Sequence, residues 1–247
     1  MQKIEYIKMH GLGNEFVIID RRINNVEINK NIIQKLSNRE TGAGCDQVIT
    51  IDKSISSDHD ARIQIFNPSG DSAEACGNGT RCVAKLLFKE KSTTHLRLQS
   101  LAGLLNVQKI NNDIISVNLG KLSHHWKDIP LAKEVKTLNM PIQLKNFLPG
   151  VAVNVGNPHI VFFGKNINLF DLNSLGPQIE NHELFPEKTN VGIVEVVNQK
   201  VIIMRVWERG TGITLACGSG ACAAVYAGVL KGLTGNDVEV KFANGSL

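Results

Sequence analysis

With 247 residues, 43% of them hydrophobic and 20% charged, and a mean hydropathy near zero, the chain has the composition of a folded globular protein with room for two domains of about 100 to 150 residues. Its 27 Lys and Arg against 23 Asp and Glu leave a formal charge of +4, and the basic residues are scattered, which argues against a nucleic-acid-binding stripe. No stretch approaches the roughly 20 apolar residues that a membrane span needs, and five cysteines without an export signal point to a reducing compartment, so a cytoplasmic location is expected.

In chain order, short strands punctuated by Gly, Asn and Asp are expected over residues 3–9, 16–20, 48–52 and 61–66. A helix over 30–36 places Ile32, Ile33 and Leu36 on one apolar face, and the glycine-rich TGAGCDQ turn follows it. That turn lacks the Lys-Ser/Thr ending of a phosphate loop. After Cys76, the spacing of Cys82, Val83, Leu86 and Leu87 predicts a helix that starts near Gly77. Strands follow over 94–100, 104–110 and 114–119, then a looser polar stretch at 120–130 that is read as the boundary between halves 1–120 and 121–247. In the second half VAVNVGNPHIVFF and KVIIMRVWERG read as strands, with a helix or loop over 172–185 between them. The closing CGSGACAAVYAGVLKG is rich in Ala and Gly, as suits a helix buried almost all round inside a curled sheet.

One element occurs twice. IFNPSGDSAEACGNGTRC and VWERGTGITLACGSGACA share Ala-Cys-Gly-Xaa-Gly, and the register runs upstream without a gap: Asn67 precedes Cys76 by nine residues, as Glu208 precedes Cys217. Each copy reads as strand, turn, cysteine, helix. A helix N-terminus stabilises an anion and lowers the pKa of a thiol placed there. The adjacent Gly77 and Gly79, and Gly218 and Gly220, allow a carboxylate to approach backbone N–H groups without a Cβ in the way. Two such halves packed face to face would flank one carbon with two thiols, one removing an α-proton while the other returns a proton to the opposite face. Repulsion between close anions would keep one of the pair neutral, with coupled pKa values.

Blander roles suit the other cysteines. Cys45, Cys82 and Cys222 read as small hydrophobes in the core, and the pairs Cys76/Cys82 and Cys217/Cys222 are spaced too widely for the tight pairs of structural zinc. A bond between Cys76 and Cys217 in an oxidised preparation would be inactivation rather than function. His10 reads as a buried hydrogen-bonding histidine, and His124 and His125 as surface loop residues.

The segments MHGLGNEFVIID, GAGCDQ, IFNPSGDSAEACGNGTRC, VGNPHIVFF, TNVGIV and RVWERGTGITLACGSGACAA, in this order, resemble the diaminopimelate epimerase family from Met9 nearly to the end. The resemblance implies an α+β fold of two pseudo-symmetric domains, each a curled, mostly antiparallel sheet around a central helix. It implies Cys76 and Cys217 as the acid/base pair, and a substrate site lined by Asn14, Gln47, Asn67, Gly77, Asn78, Asn157, Asn190, Glu208, Arg209, Gly218 and Ser219, with His159 as a site-wall residue. The implied reaction interconverts LL- and meso-2,6-diaminopimelate in lysine and peptidoglycan precursor synthesis, with no pyridoxal phosphate, metal or nucleotide, in a homodimer. A related racemase acting on another amino acid is the alternative. Ser219 stands where Thr is frequent in the family, and Leu247 ends the chain where members continue with further strands, so the second half is expected to be truncated, with an exposed sheet edge.

Overall fold

The computed structural model describes residues 3–23, 26–73 and 76–247, which divide into two compact units, one up to Gly120 and the other Lys121–Leu247. In the first, strands β1 (Ile7–Gly11), β2 (Asn14–Asp20), β3 (Gln47–Asp52), β4 (Ala61–Phe66), β5 (Ser72–Ala73), β6 (His95–Ser100), β7 (Gly103–Lys109) and β8 (Ile115–Asn118) form a single sheet. Its order is β1-β2-β3-β4-β6-β7-β8, with β5 beside β4. Helix α1 (Lys30–Ser37) lies between β2 and β3, and α2 (Gly77–Glu90) between β5 and β6.

The second unit carries β9 (Val151–Asn154), β10 (Pro158–Phe163), α3 (Leu172–Glu180), β11 (Asn190–Asn198), β12 (Val201–Glu208), β13 (Gly212–Thr214), α4 (Gly218–Leu230), β14 (Glu239–Phe242) and β15 (Gly245–Ser246). Its sheet order is β9-β10-β11-β12-β14-β15, with β13 beside β12. Strand for strand this is the first topology again. β1-β2 and β9-β10 are antiparallel, β2-β3 and β10-β11 parallel, β3-β4 and β11-β12 antiparallel, β4-β6 and β12-β14 parallel. Among the described residues the second sheet has no strand equivalent to β8.

Strand alternation sorts each sheet's side chains onto two faces. In β2 and β3, Phe16, Ile18, Ile49 and Ile51 join Cys82, Val83 and Leu87 of α2 in the main core of the first unit, while Val17, Ile19 and Val48 face α1 with Ile33 and Cys45. Because α2 packs on β1 and β2 at one end of the sheet order and on β7 and β8 at the other, the sheet curls around it. In the second unit Ile160, Phe162, Val191 and Ile193 pack toward α3, and α4 lies on β9, β10 and β11. Gly220, Ala223, Ala224, Ala227 and Gly228 of α4 are buried, but Cys222, Val225, Tyr226 and Val229 form a half-buried stripe at i, i+3, i+4 and i+7, so the helix is covered on one side rather than almost all round as its composition suggested. No helix among the described residues is long and apolar enough to cross a membrane.

Four further sequence expectations need correction. The first strand begins at Ile7 rather than residue 3, and it is an edge strand, so His10 alternates outward and is exposed instead of buried. VAVNVGNPHIVFF is two strands, not one, because Gly156 at φ 83° turns the chain between β9 and β10. The segment at 190–198, for which no strand was expected, is the central strand β11; there Gly192 leaves room for Met204, whose Cε would lie 2.7 Å from an added Cβ.

Candidate active site

The repeat delivers its polar residues to corresponding corners of the two sheets. In the first unit the β1-β2 hairpin turns through Leu12 and Gly13 at φ 54° and 87°, the doubly positive geometry of the tightest hairpin loop. Asn14 emerges at the start of β2, buried, with its Nδ2 donating to Asp46 Oδ2 at 3.2 Å. The same carboxylate oxygen accepts from Glu15 N at 2.8 Å. Gln47 opens β3 beside Phe16, and its Nε2 donates to Asn67 Oδ1 at 3.0 Å. Gln47 Oε1 is buried and has no hydrogen-bond partner among the described residues.

In the second unit the β9-β10 hairpin places Asn157 just before Pro158, and Asn190 opens β11 beside His159. Asn190 is buried; its Nδ2 donates to Pro158 O at 2.8 Å and its Oδ1 accepts from Arg209 N at 2.9 Å. The Arg209 guanidinium donates to Glu187 O at 3.0 Å, and Thr214 Oγ1 donates to Glu208 Oε1. The pairing registers therefore equate Asn14 with Asn157, Phe16 with His159, and Gln47 with Asn190, and the nine-residue spacing to each cysteine equates Asn67 with Glu208.

Both cysteines occupy the N-cap of the helix that follows. Cys76 has φ −147° and ψ 100°, Cys217 has φ −137° and ψ 118°, and each sulfur accepts from the third helical N–H, Gly79 N or Gly220 N, at 3.3 Å. The cap N–H and the positive end of the helix dipole both favour the thiolate. Glycine at each third position lets neighbouring side chains approach closely: an added Cβ would lie 2.4 Å from Ile49 Cδ1 at Gly79, and 3.2 Å from Met204 Cε and Cys217 Cβ at Gly220. Gly77, Asn78, Gly218 and Ser219 form the first turns. Asn78 Oδ1 accepts from Arg81 at 2.5 Å.

The two halves differ around the sulfur. Ser219 Oγ lies 3.5 Å from Cys217 Sγ and 3.2 Å from His159 Nε2, which is also 2.8 Å from Asn157 Oδ1. Burial, aided by the positive charge of Arg209, holds the His159 pKa down to about 3, so the ring is neutral at physiological pH. With its one proton on Nε2 the ring donates to Asn157 and Ser219, leaving the serine hydroxyl to donate to the sulfur. The first unit has Phe16 at this place and no such relay through that residue.

Two of the other three sulfurs behave as core atoms, and Cys222, also expected in the core, does not. Cys45 and Cys82 are buried, which pushes both thiols up, Cys82 to about 11. Cys222 is half-buried on α4. Among the described residues no group of three or more His, Cys, Asp or Glu is placed to hold a metal.

Sequence reading passed over Asp46, which accepts from Asn14 Nδ2, Thr214, which donates to Glu208, and Glu180, which accepts from Trp207 Nε1 and Gly210 N. Asp46 had a signal, lying next to Gln47 in GAGCDQ; Glu180 had none.

The buried histidine sets a pH dependence of stability. An unfolded histidine binds a proton below about pH 6.5, and folded His159 does so only near pH 3. Its contribution is complete above pH 6.5 and falls as pH falls, with a slope of at most about 1.4 kcal/mol per pH unit. Denaturant titrations between pH 6.5 and 5, above the range of the carboxylates that Arg22 and Lys91 hold low at Asp20 and Asp60, should show this slope. His159→Phe, which installs the first unit's residue, should flatten it.

The sequence profile of the family described as Diaminopimelate epimerase matches residues 6–125 and 151–247. A diaminopimelate epimerase of Pelagibacter ubique (strain HTCC1062) is 42% identical over 249 residues, covering 99% of this chain and 90% of its own. One from Wolbachia sp. subsp. Drosophila simulans (strain wRi) is 46% identical over 244 residues, covering 98% of this chain and 90% of its own. In fold, the chain is similar to a hydroxyproline epimerase from Agrobacterium vitis crystallised with trans-4-hydroxy-L-proline, at TM-score 0.72 and 14% identity over 98% of this chain and 82% of that one.

Proposed function

The chain belongs to the diaminopimelate epimerase family, and from that premise we propose that it interconverts LL- and meso-2,6-diaminopimelate with Cys76 and Cys217 as the two proton carriers. The observation that carries this reading is the repeated cysteine cap: two sulfurs at N-caps of matching geometry, each 3.3 Å from the third N–H of its helix.

In this reading one thiolate removes the α-proton and the other thiol protonates the opposite face, so the centre inverts with no change in connectivity. The α-proton is weakly acidic. The developing carbanion is stabilised through its carboxylate by the helix-start N–H groups at Gly77, Asn78, Gly218 and Ser219, donors already oriented before reaction. Two thiols sharing one substrate titrate as a coupled pair, and the stereoisomer bound decides which is the base. Gln47 Oε1, a buried acceptor, suits an ammonium, and the Arg209 fork suits the carboxylate of the non-reacting end. A site lined this way rejects amino acids that lack a second polar end, because its buried groups would go unpaired.

Two halves of a duplication, 1–120 and 121–247, each contribute one cysteine. The enzyme acts in the cytoplasm as a homodimer, in lysine and peptidoglycan precursor synthesis. The test is incubation of the chain with LL-diaminopimelate in deuterium oxide, following α-proton loss and diastereomer composition by NMR, beside proline, hydroxyproline and a panel of single amino acids. Deuterium uptake with formation of the meso isomer is the expected result. Turnover of another amino acid with none of diaminopimelate would assign the chain to the related-racemase alternative.

A further inference from the structure

We propose that Glu180 is a positioning residue that sets the Glu208–Arg209 corner for substrate, an inference that rests on the reading of that corner as substrate-binding. Glu180 ends α3 and is only 5% exposed. Its two carboxylate oxygens accept from the residues that bracket the corner: Oε2 from Trp207 Nε1 at 2.6 Å and Oε1 from Gly210 N at 3.0 Å. Lys188 Nζ stands 3.8 Å from Oε1. One side chain thus holds the chain on both sides of Glu208 and Arg209.

The indole is fixed independently. A Cβ added at Gly176, one turn earlier on α3, would lie 2.4 Å from Trp207 Cδ2, so the ring rests against helix backbone and its N–H has one direction. Trp207 and Ile203 pack with the α3-side core. Met204, two residues from Ile202 and four from Glu208, lies instead beside Gly220 of α4. Alternation along β12 therefore puts Glu208 on the face that carries Cys217 whenever Trp207 is held against α3. The guanidinium-bearing residue is then tied by its own N–H to Asn190.

The first unit braces the same place with its own crossover helix. Gln34, in the middle of α1, donates its Nε2 to Ser69 O at 2.9 Å, and Ser69 is two residues past Asn67 as Gly210 is two past Glu208. That brace is exposed and neutral; the one at Glu180 is buried and ionic. Two N–H donors converge on Glu180, and only a carboxylate offers an acceptor to each. Glutamine of the same shape turns an amide N–H toward one of them.

The test uses the full chain and LL-diaminopimelate. In Glu180→Gln, KM should rise about tenfold while kcat changes less than about threefold, because remote grip rather than proton transfer is loosened. Trp207→Phe, which removes the indole donor without opposing two donors, should raise KM by a smaller factor. Amide hydrogen exchange of the ligand-free protein should quicken at Arg209 and Gly210 in Glu180→Gln. KM within twofold of wild type in both variants, or a loss confined to kcat, overturns the assignment, as does unchanged exchange at the corner. Wild type that leaves diaminopimelate unchanged overturns the functional reading instead, and the exchange result then still decides whether Glu180 holds the corner.

Discussion

Cys76→Ser and Cys217→Ser should each lower epimerisation by about 10³-fold or more while leaving the fold intact. The loss follows from acidity. A positioned acid or base is worth about 10²–10⁴-fold, and a serine hydroxyl is too weak an acid to supply a base near neutral pH. The intact fold follows from capping. Each cysteine is an N-cap whose sulfur accepts from Gly79 N or Gly220 N, and serine ranks among the best residues for that position, so thermal unfolding midpoints should hold or rise.

A two-carrier mechanism adds a signature that a mere loss of activity lacks. Each variant keeps one thiol, which can still be the base for only one of the two stereoisomers. In deuterium oxide, each should therefore exchange the α-proton of one isomer, slowly and without inversion, and the preferred isomer should switch between Cys76→Ser and Cys217→Ser. Exchange with both isomers in both variants, or unchanged turnover in either, would show that the sulfurs are not the two carriers.

What the sequence made legible was the part that repeats or alternates. The start of α2 at Gly77 follows from one apolar helical face together with the glycines after Cys76, and β2, β3 and β4 follow from β-branched runs between turn residues. The site residues Asn14, Gln47, Asn157 and Asn190 could be named from the family resemblance. Their equivalence became visible only in the registers that pair Phe16 with Gln47 and His159 with Asn190. Periodicity failed where tertiary space decided. In β11 the end of Met204 packs into the space over Gly192, and a glycine inside an apolar run weakens the strand signal. His10 was misplaced because nothing local marks β1 as an edge. Glu180 was invisible for a related reason: its partners Trp207 and Gly210 are some 30 residues away, and a single acidic residue at a helix end reads as solvated.

The second large effect is expected at Arg209. Arg209→Met should raise KM for diaminopimelate by about 10²-fold or more, since charge-assisted hydrogen bonds contribute about 1.5–3 kcal/mol each and a bidentate grip makes two. Arg209→Lys should recover only part of this, because it restores the charge without the planar fork. The same variants separate two influences on the neighbouring histidine. Burial is the larger cause of the low pKa of His159 and the charge of Arg209 the smaller, so removing the charge should move that pKa upward yet leave it well below 6.5. The slope of stability between pH 6.5 and 5 should therefore persist in Arg209→Met and vanish in His159→Phe. If Arg209→Met abolished the slope, the guanidinium rather than burial would be what keeps the ring neutral beside Ser219 and Cys217.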